Sequence, residues 1–389
     1  MKYDFDEVIE RRNTGSVKWD NLRSLFGSPD VLPMWVADMD FRVPQPVVDA
    51  IKKRAEHPVY GYTLTGGAIK PVTDRLHRLY GWQVDPEWVI ITPGVVPAVN
   101  AAVRAFAGPS RAVVLQSPAY PPFWKSLSNN SCVPATNVLV RNGDRYEVDF
   151  DDLERKLSET GAKAMILCSP HNPVGRVWSR EELERMGEMT LRHGAVMISD
   201  EIHCELTLNG NKHVPFAAIS PEFERNSITC YAPSKTFNIA GMHCSVTIVP
   251  DEGLRKEFND ARAGIMGSPD LFAVCAMDAA FRYGDEWLEQ ALDYIEANLE
   301  FMLRFFEERI PRIKPNRPEG TYLVWLDCRD LEMDAKALGK FFNEKAKVGL
   351  NDGTTFGPGG EGFQRMNIAC ARSILEEGLK RIEDAVNSL

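Results

Sequence analysis

The chain has no excess of positive charge. Its 45 Lys and Arg stand against 55 Asp and Glu, a formal net charge of −10. No Lys/Arg-rich run or basic stripe stands out, which argues against nucleic acid or an anionic membrane as a partner. There is no continuous apolar run of membrane-spanning length. The opening Met1-Lys-Tyr-Asp-Phe-Asp-Glu7 is acidic and has no signal-peptide hydrophobic region, so a cytoplasmic protein is expected. The 8 cysteines contain no CxxC pair, and several lie inside apolar runs where free Cys behaves as a small hydrophobe. Reduced thiols are expected. The 7 histidines show neither HExxH nor another ligand spacing, so no metal site is expected. Internal repeats and low-complexity tracts are also missing.

What is present is an ordinary globular composition, 44% hydrophobic and 26% charged over 389 residues, enough for a large domain and a smaller one. Residues 1–47 are punctuated by Pro29, Pro33, Pro44 and Pro46 and read as an arm with little helical periodicity. Residues 48–284 read as the large domain. There Val89–Thr92, Ala112–Leu115, Ala164–Leu167, Ala195–Ile198, Ile228–Tyr231 and Val246–Val249 are short apolar runs, the mark of strands buried on both faces. Helical stretches alternate with them, among them Pro97–Phe106 and Arg180–His193, the latter opened by the capping box Ser179/Glu182. The pattern predicts an α/β fold with a mostly parallel, helix-covered sheet, and the final strands, which lack long intervening helices, leave room for an antiparallel member. Residues 285–389 read as a smaller C-terminal α/β domain, entered by an amphipathic helix from Asp285 to about Ile310.

Ligands of open α/β sheets collect at the carboxyl ends of the strands. After the first run comes Pro93-Gly-Val-Val-Pro97, a glycine turn into a helix whose free N–H groups suit a phosphate, although an ordinary strand-to-helix turn reads the same way. After the second, Ser117-Pro-Ala-Tyr-Pro-Pro-Phe123 holds Tyr120 between prolines, a ring either for a heteroaromatic ligand or for plain packing. After the third, Ser169-Pro-His-Asn-Pro-Val-Gly175 places Asn172, which either caps the turn or donates to a phenolate-type oxygen. The fourth ends Ser199-Asp-Glu-Ile-His203, where Asp200 is costly unless it meets a positive charge such as a protonated pyridine nitrogen. Lys235 follows the fifth, on a polar turn between two apolar strands, where desolvation lowers its pKa as a Schiff-base lysine requires. Each alone has a bland reading. In this order on successive strands they describe a pyridoxal phosphate site.

The strings His171-Asn-Pro-Val-Gly175, Ser199-Asp-Glu-Ile-His203 and Ser234-Lys-Thr-Phe-Asn238 resemble the fold-type I, class I/II aminotransferase superfamily of pyridoxal phosphate enzymes over essentially the whole chain. Within it, Met34-Trp-Val-Ala-Asp-Met-Asp-Phe41, Tyr60-Gly-Tyr-Thr63, Pro93-Gly-Val-Val-Pro97 and Gly362-Phe-Gln-Arg-Met-Asn367 look most like the cystathionine β-lyase (C–S lyase, MalY/PatB-type) branch. The resemblance implies that Lys235 holds the cofactor covalently and removes the Cα proton. Asp200 would pair with the pyridine nitrogen, Asn172 would donate to the phenolic oxygen, His203 would lie nearby and Tyr120 would stack on the ring. Gly94, Val95 and Val96, with Ser234, would bind the phosphate. Arg365 would clamp the substrate carboxylate beside Val36, Ala37 and Asp38. Tyr62, and Tyr60, would reach the site of a neighbouring subunit in a homodimer.

The chain departs from the transaminase pattern at His243, where many carry an arginine, and at Ala232, where a Ser is common. Both departures leave phosphate contacts at these positions open and favour the lyase branch. The implied reaction is β-elimination from L-cystathionine or a related S-substituted L-cysteine. The alternatives are transamination with a 2-oxo acid and a regulatory protein that retains the fold. Arg372 is one candidate for a distal substrate group.

Overall fold

The computed structural model describes every residue, Met1–Leu389. The six apolar runs all become strands of one sheet. In chain order they and one further strand are β1 Val89–Thr92, β2 Ala112–Ser117, β3 Val133–Val138, β4 Ala164–Cys168, β5 Val196–Asp200, β6 Ser227–Tyr231 and β7 Ser245–Ile248. Their spatial order is β1-β7-β6-β5-β4-β2-β3. The strands from β3 across to β6 run parallel, and β7 is antiparallel to both β1 and β6. A crossover helix is needed only between parallel neighbours, which is why the short stretch between β6 and β7 suffices.

β3 has no counterpart in the sequence reading. It is the edge strand and exposes Val133, Pro134 and Val138, so it lacks the continuous apolar signature of its neighbours. Pro134 is tolerated there because an edge strand need not donate on both sides.

Two helices fix the geometry around the strand ends. α1, Val95–Phe106, begins directly after β1 through Gly94 at φ 113°, a backbone conformation that glycine takes without strain. α2, Arg180–Arg192, carries the expected capping box between Ser179 and Glu182. α3, Asp285–Arg309, is one uninterrupted helix of 25 residues, with Trp287, Ile295, Leu299, Met302 and Phe306 buried along one face. Burial of such a side chain contributes about 1.5–3 kcal/mol.

Beyond it, β8 Lys314–Pro315, β9 Leu323–Asp327, β10 Asn351–Asp352 and β11 Phe363–Asn367 form an antiparallel sheet in the order β8-β9-β11-β10. Between β9 and β10, Ala335–Lys340 is an α-helix that continues as a π turn through Phe341–Ala346. The final helix, α4, spans Arg372–Asn387.

The first 47 residues hold two short helices, Val17–Asp20 and Leu22–Phe26, where little helical pattern is visible in the sequence. Leu32–Pro33 then pairs in parallel with Val348–Gly349, fastening the arm to the C-terminal part of the chain. The next residues, Met34–Phe41, cross towards the carboxyl ends of the large sheet.

Candidate active site

Parallel register aligns the ends of three strands: Cys168 of β4 lies opposite Asp200 of β5, and Asp200 opposite Cys230 of β6. Asn172, Asp200 and Lys235 therefore emerge at one edge of the sheet. A cavity of about 370 Å³ opens there. Its walls include Ala37, Gly94, Val95, Val96, Tyr120, Asn172, Asp200, His203, Ser234 and Lys235, together with Cys168, His243 and Cys244. A larger groove of about 640 Å³ lies elsewhere, but its buried charges Arg75 and Glu205 neutralise each other. The smaller cavity holds Asp200 and Lys235, two titratable groups not paired with each other by a hydrogen bond.

Lys235 sits on a single helical turn, Pro233–Thr236, immediately after β6. Its Nζ donates to the carbonyl oxygen of Ala37 at 2.6 Å. Burial disfavours the ammonium and lowers its pKa to about 8, against an upward pull from Asp38 and Asp200. Asp200 is buried, and its carboxyl is pushed up to about 7, chiefly by desolvation and further by the neighbouring Glu201. Its one hydrogen bond comes from the N–H of Ile202 at 3.1 Å. Glu201, by contrast, is fully served by Ser199 Oγ, His213 Nε2 and the N–H of Phe216 at 2.8, 2.8 and 3.0 Å. Of two adjacent buried carboxyls, only Asp200 faces the cavity short of a cation.

Arg365 projects from β11 and joins the small sheet to the cavity. Its Nη1 donates to Asn172 Oδ1 at 2.9 Å, and its Nη2 donates to Trp35 O at 2.9 Å and Asn351 Oδ1 at 2.6 Å. Its Nε is buried with no partner, and burial lowers the guanidinium pKa to about 10. Because Asn172 spends its oxygen on Arg365, its amide nitrogen is the end left to donate. His203 is also buried with Nδ1 unpartnered, and desolvation pushes its pKa down to about 3, so it is neutral. Tyr120 stands in the wall, half-buried, with its ring edge-on to Phe123 at 5.6 Å.

The glycine turn differs from expectation in one detail. The N–H of Gly94 is already given to Ser245 Oγ at 3.1 Å, so Gly94 shapes the turn and does not serve as a free donor. Helix α1 has no side-chain cap, so the first-turn N–H groups at Val95 and Val96 have no capping partner, and both residues line the cavity with Ser234. His243 lines the same end in the left-handed conformation, φ 47°. Ala232 is buried and offers no hydroxyl.

Tyr60 and Tyr62 are not brought into this cavity. Tyr62 is fully exposed, and Tyr60 is exposed with its hydroxyl on Ala55 O at 2.8 Å. Arg372 does not line this cavity; its Nε is given to Asn298 Oδ1 at 2.8 Å and its guanidinium lies over Phe301.

Three functional side chains had no assigned place in the sequence. Asn238 bonds the N–H and carbonyl of Met39 at 2.9 and 3.0 Å, and Asn367 holds the carbonyls of Val36 and Asp38 at 2.8 and 2.7 Å. Their only signal is position, three residues after Lys235 and two after Arg365. Tyr322, whose hydroxyl reaches Ala37 O at 3.1 Å, is hidden in an apolar strand run.

These residues fit pyridoxal phosphate. Asp200 lacks a cation, which a protonated ring nitrogen supplies. The uncapped α1 terminus and Ser234 suit a phosphate, and Arg365 Nε and the Asn172 amide remain to be satisfied. Comparison with known proteins agrees. Residues 29–382 match the family model for aminotransferase class I and II. The chain is 44% identical to cystathionine β-lyase PatB of Bacillus subtilis over 98% of its own length and 100% of that protein's. It is 31% identical to protein MalY of Escherichia coli, with 100% of both chains covered. Cystalysin of Treponema denticola, solved with a pyridoxal 5'-phosphate cofactor, superposes with a TM-score of 0.97 at 37% identity, covering 100% of both chains.

Proposed function

We propose that this chain, which belongs to the class I and II aminotransferase family and has the fold-type I architecture, is a pyridoxal-phosphate-dependent carbon–sulfur β-lyase of the cystathionine β-lyase type. It cleaves L-cystathionine or related S-substituted L-cysteines to a thiol, pyruvate and ammonia. The observation that carries this reading is the convergence on one cavity of Lys235, the cation-poor Asp200 carboxyl and Asn172, whose oxygen Arg365 holds from behind. Full-length identity to a cystathionine β-lyase supports the lyase outcome over transamination.

Pyridoxal phosphate, when bound, supplies an electrophilic carbon for an amine and a ring that accepts an electron pair from Cα. The chain's own residues do the rest. Asp200 holds a proton on the ring nitrogen, Asn172 donates its amide nitrogen to the phenolic oxygen, and Tyr120 and His203 bound the ring. Val95, Val96 and Ser234 hold the phosphate. Arg365 fixes the substrate carboxylate, so that the Cα–H bond faces Lys235. The neutral amine of Lys235 takes that proton, and sulfur then leaves Cβ with the bonding pair.

We read residues 1–47 as the arm, 48–284 as the large domain and 285–389 as the small one. The protein acts as a cytoplasmic homodimer in which Tyr62 and Tyr60 complete the partner's site. In support, Val59, Tyr60, Tyr62 and Leu64 form an exposed apolar segment, and no helix is long and apolar enough to cross a membrane.

The test is purified protein with L-cystathionine and no oxo acid. Stoichiometric pyruvate and free thiol are expected, and strict dependence on an added 2-oxo acid would overturn the lyase reading.

A further inference from the structure

Two donors meet on one buried oxygen. The carbonyl of Ala37 accepts from Lys235 Nζ at 2.6 Å and from the phenol of Tyr322 at 3.1 Å. The crossing segment that carries it is held in place beside both active groups. Asn238 binds it from just after the lysine, Asn367 from just after Arg365, and Arg365 itself takes the Trp35 carbonyl. Lys18 and Arg11 grip Asp38 from the arm side, at 3.1 and 2.8 Å. The Ala37 oxygen is therefore a fixed point, aimed at the lysine amine.

A buried carbonyl needs a donor at all times. A lysine that forms a covalent bond through Nζ to a carbonyl carbon keeps at most one N–H while that bond lasts. Tyr322 is the second donor that Ala37 has. Tyr322 is fully buried, and its pKa is raised by desolvation and by Asp38, so it stays a protonated donor through the working pH range.

We propose that Tyr322 is a positioning residue for the lyase reaction: it keeps the Ala37 carbonyl aimed into the cavity, so that the amine of Lys235, once released, returns to that oxygen with its lone pair facing the substrate Cα. The inference rests on the function proposed above. The Cα–H bond breaks and an N–H bond forms at Nζ; the bound cofactor would supply the sink for the electron pair left on carbon. The ammonium so formed donates to Ala37 O, which stabilises it as its charge develops. Tyr322 itself transfers no proton.

The test is Tyr322→Phe, which keeps the ring and its edge-on contact with His203 at 6.2 Å and removes one hydroxyl. With loaded enzyme and L-cystathionine, cofactor content, visible absorbance and KM stay within about twofold, while kcat falls about five- to tenfold, the scale of one hydrogen bond. The isotope effect from Cα-deuterated substrate rises, because proton removal becomes slower. A second readout is independent of turnover. Amide hydrogen exchange of the 34–41 peptide quickens several-fold in the loaded variant but not in the cofactor-stripped variant, where Lys235 still serves the carbonyl. Unchanged kcat and isotope effect overturn the proposal. So does equal loosening with and without cofactor, or failure to bind cofactor, since either makes Tyr322 a packing element. Wild-type protein that makes no pyruvate refutes the lyase reading instead, and the exchange experiment still judges Tyr322.

Discussion

Arg365 Nη1 donates to Asn172 Oδ1 at 2.9 Å, and this bond settles the direction of both side chains. It commits the asparagine oxygen and turns its amide nitrogen outward. It also holds the guanidinium with Nε and one N–H of Nη1 left without a partner. The two residues are 193 positions apart, one on β11 of the small sheet and the other in the turn after β4, yet they form one recognition unit.

Arg365→Lys should therefore separate substrate binding from cofactor binding. A lysine carries the charge but cannot reproduce a planar fork that serves Asn172, Trp35 and Asn351 together. KM for L-cystathionine is expected to rise about tenfold or more, with the visible absorbance of the bound cofactor retained. An unchanged KM would remove Arg365 from the substrate site.

Lys235 gives a pH prediction. Its pKa of about 8 means that the neutral amine predominates above that pH, whereas an ordinary lysine stays charged. Uptake of pyridoxal phosphate by stripped protein should quicken about tenfold per unit as pH rises towards 8 and then level off. A profile that still climbs through the ordinary lysine range would contradict the burial argument. Lys235→Ala should abolish the absorbance and slow pyruvate formation on the order of 10³-fold or more.

Much of this was legible in the chain, for a definite reason. Strands buried on both faces must be apolar throughout, so a polar residue at the end of each, such as Asp200, is conspicuous. β3 escaped notice because an edge strand alternates, and Tyr322 because a buried phenol reads as packing until its hydrogen-bond partner is located. The Ala37 carbonyl has no side-chain signal at all. The opposite error arose at Gly94, where the motif is correct but Ser245, far along the chain, takes the N–H. Arg372 is likewise placed by long-range contacts, with Asn298 on its Nε and Phe301 under its guanidinium. Local pattern identifies which residues end at a site, while long-range contacts decide which of their atoms remain free.

A mixing experiment tests the shared site. Tyr62 is fully exposed and makes no contact with its own chain's cavity. If it completes the partner's site, Lys235→Ala and Tyr62→Ala proteins, each nearly inactive, should regain activity when unfolded, mixed and refolded together. A heterodimer has one intact site, made of Lys235 from one chain and Tyr62 from the other. Random pairing predicts about a quarter of wild-type activity. No recovery, with dimers present by sedimentation, would exclude the exchange of Tyr62 between subunits.

Asp200 connects the chemistry to stability. Its carboxyl titrates near 7 in the folded chain because burial disfavours the anion, against about 3.9 when unfolded. An acid whose pKa is raised by folding contributes stability that is full below its unfolded value and is lost as pH rises through its folded value. The contribution of Asp200 to the stability of the stripped protein should thus fall between about pH 4 and 7, by up to about 4 kcal/mol. Asp200→Asn has nothing to ionise there. Measured by denaturant unfolding without cofactor, the variant should match wild type near pH 4 and exceed it at pH 8. The comparison isolates Asp200, because every other carboxyl is common to both proteins. Cofactor should reverse the ranking, since a protonated ring nitrogen gives the carboxylate the cation it lacks. Loaded wild type should then be the more stable at pH 8, and Asp200→Asn should be about a hundredfold or more slower in pyruvate formation. A stability difference independent of pH would mean that the carboxyl is satisfied in some other way, and its role as the partner of the ring nitrogen would fall with it.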